Sequence, residues 1–127
     1  MFQINLKNGE AIYLQLKEQV VKFACMGVLK PNEQLPSVRV LARELGINPN
    51  TVSKAYQELE NEKIIYSVSG KGSFVTDDIF SVQSVKQEVL ADFLKIAGKA
   101  KQFGVSQSEL EGIIETVYAD GRTGEDK

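Results

Sequence analysis

Residues 35–62 read LPSVRVLARELGINPNTVSKAYQELENE, and they hold two short helices with very little chain between them. Ser37 can cap a helix over VRVLAREL, where Val38, Leu41, Ala42 and Leu45 make one apolar face and Gly46 supplies the stop. Asn48 can cap the next, with Pro49 at the first helical position, where a missing N–H is of no consequence. Val52, Ala55, Tyr56 and Leu59 then recur at the spacing of one buried face, which predicts a helix from Pro49 to about Glu62. A turn as short as Gly46–Asn48 between two amphipathic helices is the helix-turn-helix arrangement, whose second helix enters a DNA groove. The outward face of that helix carries Asn50, Thr51, Ser53, Lys54 and Gln57. Amides and hydroxyls both donate and accept, which suits major-groove base edges, but Asn, Thr and Ser also favour first helical turns for local reasons.

Working outward, residues 11–27 place Ile12, Leu16, Val20 and Phe23 on one face of a helix that ends at Gly27. The two prolines of VLKPNEQLPS keep the next connection extended or turned, with a short strand possible at residues 33–35. After the helix pair comes IIYSVSGKGSFVTDD, two strand-like runs around Gly70-Lys71-Gly72, which predicts a tight hairpin with a basic tip. Helix, helix-turn-helix and hairpin follow one another in winged-helix order. A tip without bulky side chains lets backbone N–H groups and an ammonium approach phosphates, although the same residues also make an ordinary turn.

Composition narrows the function. The chain of 127 residues has no histidine and a single cysteine. The usual general base, the commonest metal ligand and any thiolate metal site are therefore missing, so neither an enzyme nor a metal or cofactor site is expected. Cys25, inside an apolar helical stretch, reads as a buried inert thiol. No apolar run nears the roughly 20 residues that span a bilayer, and the N-terminus has no signal-peptide pattern, so a cytoplasmic protein without membrane contact is expected. Residues 1–76 carry nine Lys/Arg against seven Asp/Glu, and residues 77–127 six against ten. That asymmetry permits a nucleic-acid surface on the first part without demanding one.

A boundary falls at residues 76–78. Residues 80–103 then carry Val82, Val85, Val89, Phe93, Ile96, Ala100 and Phe103, a helical stripe roughly 35 Å long. Ser106 and Glu109 form a capping box for a last helix with Leu110, Ile113, Ile114, Val117 and Tyr118. The tail from residue 121 is expected to be disordered. Two helices cannot bury both stripes on each other, so the stripes need a second copy of the chain or the first domain. A symmetric four-helix homodimer interface is the simpler expectation, with Val82, Val85, Val89, Phe93, Ile96, Ala100, Leu110, Ile113, Ile114 and Val117 at its centre. The fold class is thus α+β and mainly helical, with a winged helix-turn-helix over 1–76 and a two-helix dimerisation hairpin over 77–120.

LPSVRVLARELGINPNTVSKAYQELENEKIIYSVSGKGSFV, residues 35–75, resembles the DNA-binding domain of GntR-type bacterial regulators. The shared pattern is LPS-x-R-x-LA, a short G-[VI]-[SN] turn, a TV-x-[KR]-AY helix and a G-x-G wing. The short C-terminal helical pair is similar to the YtrA subfamily, where two helices dimerise and no effector domain follows. The resemblance implies that Arg39 contacts DNA phosphates or base edges, as the planar guanidinium fork allows, rather than forming a surface salt bridge. It implies that Asn50, Thr51 and Ser53 face the groove with Lys54 and Tyr56 beside them, and that Ser69, Gly70, Lys71 and Gly72 form the wing contact. Asn48 and Ser37 are caps that can add contacts, Tyr56 also fits the core, and Arg43, Lys17 and Lys22 are further candidates. Many relatives carry Ser or Arg where this chain has Asn48 and Pro49. The expected function is a transcription regulator, as a repressor, that binds a two-fold symmetric double-stranded DNA operator as a homodimer. A winged helix that serves protein–protein assembly is the alternative, and a small-molecule effector is possible but not indicated by any polar cluster.

Overall fold

The computed structural model describes residues 1–7 and 9–120, with the side chain of Ile79 excepted. The expected disordered tail, residues 121–127, lies outside the described residues. The elements run α1 (Ile12–Met26), α2 (Val38–Leu45), α3 (Pro49–Asn61), β1 (Ile65–Val68), β2 (Gly72–Val75), α4 (Ile79–Gln102) and α5 (Gln107–Ala119). The chain forms two compact units, Met1–Lys86 and Gln87–Lys127.

The first unit is a winged helix-turn-helix. Its core joins Leu16 and Val20 of α1, Leu41 and Ala42 of α2, Val52, Ala55, Tyr56 and Leu59 of α3, and Ile64, Ile65 and Val75 of the hairpin. The caps form where the sequence places them. Ser37 accepts from the N–H of Val40, Asn48 accepts from the N–H of Asn50, and Gly27 and Gly46 end their helices in the left-handed region. Lys63 takes that same conformation after α3, with a φ of 64°. There the N–H of Ile64 bonds back to the carbonyl of Leu59 at 2.9 Å.

β1 and β2 pair antiparallel with Ile65 opposite Val75 and Val68 opposite Gly72. The connection before α2 adds a short third lane. Gln34 bridges Phe74, the N–H of Leu35 donates to Ser73, and the N–H of Val75 donates to Glu33. The proline-bounded strand expected at 33–35 is therefore a single bridge, since Pro36 has no N–H to extend it. At the N-terminus, Phe2 and Ile4 pack on the core and the buried Gln15 holds both backbone groups of Asn5 at 2.8 Å.

About two turns of α4 belong to the first unit. Val85 packs there against the core, and the carbonyl of Val82 faces the Cys25 thiol at 3.8 Å. These two residues, expected in the dimerisation stripe, are thus placed with the winged helix, because the apolar face of α4 reaches α1 before the stripe begins. Cys25 is half-buried rather than fully buried as expected, and that burial raises its thiol pKa. In the second unit Ser106 and Glu109 close the expected capping box, which lowers the Glu109 pKa through the bonds from Ser106. No residue of α5 is buried. Among the described residues no helix is long and apolar enough to cross a membrane.

Tyr56 is 6% exposed and its hydroxyl donates to the carbonyl of Pro36 at 2.7 Å. Burial pushes its pKa well above the usual value near 10, because the phenolate has no compensating charge there. Replacing Tyr56 with Phe should cost about 1 kcal/mol at neutral pH. The folded state keeps the phenol protonated while the unfolded chain ionises it, so this contribution is complete below about pH 10 and declines above it. Urea denaturation of wild type and Tyr56→Phe should therefore give curves whose separation narrows as the pH rises past about 10.

Candidate nucleic-acid interface

The surface made by the start of α2, the start of α3 and the wing is built from side chains the core leaves unused. Val38, Leu41 and Leu45 turn inward, so Arg39 and Arg43 are exposed on the other face of α2. Neither guanidinium makes an ion pair or hydrogen bond with a described residue, so the surface salt bridge considered for Arg39 is not formed. On α3, Asn50 and Ser53 are exposed and Thr51 is half-buried, with no side-chain partner among the described residues. Asn48 and Ser37 are spent as acceptors on their caps, though Asn48 keeps its amide donors and Ser37 its hydroxyl hydrogen.

Two expected members are placed differently. Tyr56 lies in the core and reaches the surface through nothing but its bond to Pro36, so it positions α3 and does not face a groove. The ammonium of Lys54 sits 3.9 Å from the ring centre of Tyr13 on α1. It is exposed, yet held by a cation–π contact that periodicity within one helix does not reveal.

The charges of α3 divide along its length. Its first half has no acid, while Glu58 and Glu60 sit in the second and Glu62 at its C-cap. Lys17 of α1 bridges Glu58 at 3.2 Å and also Glu62, and Ser67 donates to Glu60 at 3.1 Å. The Lys17 pKa is raised, chiefly by its bond to Glu62. Lys17 is therefore removed from the candidate DNA contacts, and Lys22 lies 5.0 Å over the ring of Phe23. With the acids engaged at one end, the other end presents amides, hydroxyls and the positive end of the helix dipole.

The wing turns through Ser69, Gly70 and Lys71, all exposed, with the N–H of Lys71 closing onto Val68 at 2.9 Å. Gly70 has a φ of 76°. Gly72 is the first residue of β2 and not part of the tip, with a φ of 125°. Behind it stands Gln34, whose amide donates to the carbonyl of Lys71 at 2.8 Å. Among the described residues no cluster of His, Cys, Asp or Glu could hold a metal ion.

The sequence pattern of the bacterial regulatory proteins of the gntR family matches residues 8–75, more than half of the chain. The chain belongs to the GntR family. Membership makes it a DNA-binding transcription regulator. It is 36% identical over 126 residues to the HTH-type transcriptional repressor YtrA of Bacillus subtilis (strain 168), across 98% of this chain and 97% of that protein. The crystal structure of a transcriptional regulator from Oenococcus oeni superposes with a TM-score of 0.73 at 36% identity, covering 91% of this chain and 97% of that one. The DNA-binding domain of AraR in complex with operator ORX1 aligns with a TM-score of 0.50 at 30% identity, over 60% of this GntR chain and 93% of that domain.

If Arg39 makes a base-specific contact, Arg39→Ala should cost about 1–3 kcal/mol for each one. If two copies bind together with roughly four phosphate contacts each, about eight in all, log K should fall against log salt with a slope near −7. Fluorescence anisotropy titrations across a salt series measure both, and a slope near zero would exclude electrostatic docking.

Proposed function

We propose that this GntR protein represses transcription by binding, as a homodimer, to a two-fold symmetric DNA operator. The observation that carries this is the set of exposed side chains without internal partners among the described residues: Arg39, Asn50, Ser53 and Lys71, on three elements that share one core. α3 enters the major groove, where Asn50, Thr51 and Ser53 meet base edges and phosphates. Arg39 offers its donor fork to a phosphate or to guanine, and the Ser69–Lys71 tip reaches the backbone or the minor groove. Asn48 and Ser37 assist as caps, with Arg43 as a peripheral cation. Repression is supported by the repressor named among its relatives. No enzymatic activity and no cofactor is assigned, because binding of this kind needs neither.

The homodimer rests on the second unit. Val89, Phe93, Ile96, Ile113, Ile114 and Val117 are between 39% and 63% exposed in the single chain. Covering the exposed half of each is worth roughly 1 kcal/mol. Ala100 and Leu110, partly covered already, complete the stripes. Two copies related by a two-fold axis would present two α3 helices to half-sites about 34 Å apart, or a multiple of that.

Selection from a random duplex pool with purified protein, alongside an Arg39→Ala, Lys71→Ala double variant, tests the operator. An enriched two-fold symmetric motif that the folded variant fails to enrich is expected. No enrichment by the folded wild type would shift the weight to a protein partner. Phe93→Glu places a charge in the dimer face, so sedimentation should find a folded monomer whose operator affinity has collapsed; an unchanged dimer would place the interface elsewhere.

A further inference from the structure

The hairpin tip that this assignment brings to DNA is not held by the hairpin alone. β1 and β2 pair over four residues each, and beyond Val68 and Gly72 the tip has one internal bond, from the Lys71 N–H to the Val68 carbonyl. Two-stranded hairpins of this length are marginal without outside support. Support comes from the connection before α2. The side-chain amide of Gln34 donates to the carbonyl of Lys71 at 2.8 Å. Its backbone bridges Phe74, and the next residue, Leu35, donates to Ser73 at 2.8 Å.

The approach is close on the other side too. A Cβ at Gly72 would stand 3.0 Å from the Gln34 amide nitrogen, and Gly72 has a φ of 125° that side chains rarely adopt. Both the shape of β2 at its first residue and the bond from Gln34 therefore depend on a bare backbone there. The same connection continues into Pro36, which accepts the Tyr56 hydroxyl of α3, and Ser37, which caps α2 two residues before Arg39. One short segment thus touches the wing, the start of α2 and the recognition helix.

We propose that Gln34 is a positioning residue of the DNA interface. Its amide fixes the Lys71 carbonyl, and so the direction in which the Lys71 ammonium leaves the wing, relative to Arg39 and α3. This rests on the DNA-binding assignment above. Gln34 itself need not touch DNA.

Gln34→Met keeps the length of the side chain and the net charge while removing the donor. Amide NMR of the free protein tests the mechanical half. The Gly70, Lys71 and Gly72 resonances should shift while those of Val52 and Leu59 stay, and an unmoved wing would overturn the proposal. Anisotropy with a labelled duplex of the selected motif tests the functional half. Gln34→Met should bind about three- to tenfold more weakly per half-site, as for one lost hydrogen bond. Its salt slope should flatten by up to about two per dimer, as Lys71→Ala should. Adding Gln34→Met to Lys71→Ala should weaken binding no further. A fully additive double variant, or wild-type affinity with a displaced wing, would overturn the role of Gln34 while leaving the DNA assignment intact. A wild type that enriches no sequence would instead overturn that assignment and this proposal with it.

Discussion

The bond from the buried Tyr56 hydroxyl to the carbonyl of Pro36 ties the recognition helix to the chain that starts α2, and the interface depends on it. A helix-turn-helix needs its two helices at a fixed angle, and apolar packing alone leaves sliding along the contact inexpensive. A directional hydrogen bond at low dielectric removes that freedom, since its loss leaves a buried polar group unpaired. The acceptor is well chosen. Pro36 fixes its own φ, which removes one of the two backbone rotations that set where its carbonyl points.

α1 supplies the second constraint, though none of its residues belongs to the recognition motif. Leu16 and Val20 are fully buried beneath α3, and Lys17 between them gathers Glu58 and Glu62. Glutamates in the last turns of a helix oppose its dipole, and a cation from a neighbouring helix offsets that. The consequence reaches the far end of α3. With the acids engaged at its C-terminal end, the first turns of α3 leave a chain with a net charge of −2 free to present a face to phosphates. One turn earlier on α1, Tyr13 receives Lys54, so a single helix engages both acids and a cation from the surface of α3.

The local signals in the sequence were legible because they are short-range. Ser37, Gly46, Asn48 and the Ser106–Glu109 box act within one turn, and each cap forms as its residue type requires. The three-one-three apolar spacing of α2 and α3 likewise names the residues in and against the core, Tyr56 among them. What the sequence could not display is pairing across elements. Tyr56 fits a groove or a core until Pro36 is seen to stand opposite it. Lys17 looks like any exposed cation until two glutamates from α3 meet it. Val85 keeps the register of the α4 stripe, yet it belongs to the first core, because periodicity marks a face and says nothing about which neighbour covers it. Gln34 carries no signal, since a glutamine beside two prolines is ordinary connector chemistry.

The surface made by α2, the start of α3 and the wing carries few cations. Arg39, Arg43 and Lys71 are unpaired among the described residues, and Lys54 is shared with Tyr13. One copy therefore releases few counterions and would bind weakly at physiological salt. Duplication changes this more than added charge would. Linking two such surfaces makes the second engagement intramolecular, with an effective concentration set by geometry, and it doubles the base edges read. It also makes rigidity valuable, because two recognition helices gain from linkage only if both fit at once. In the proposed homodimer the bonds that fix α3 to the connector and the connector to the wing would act on affinity through the pair, although each is worth little in one copy.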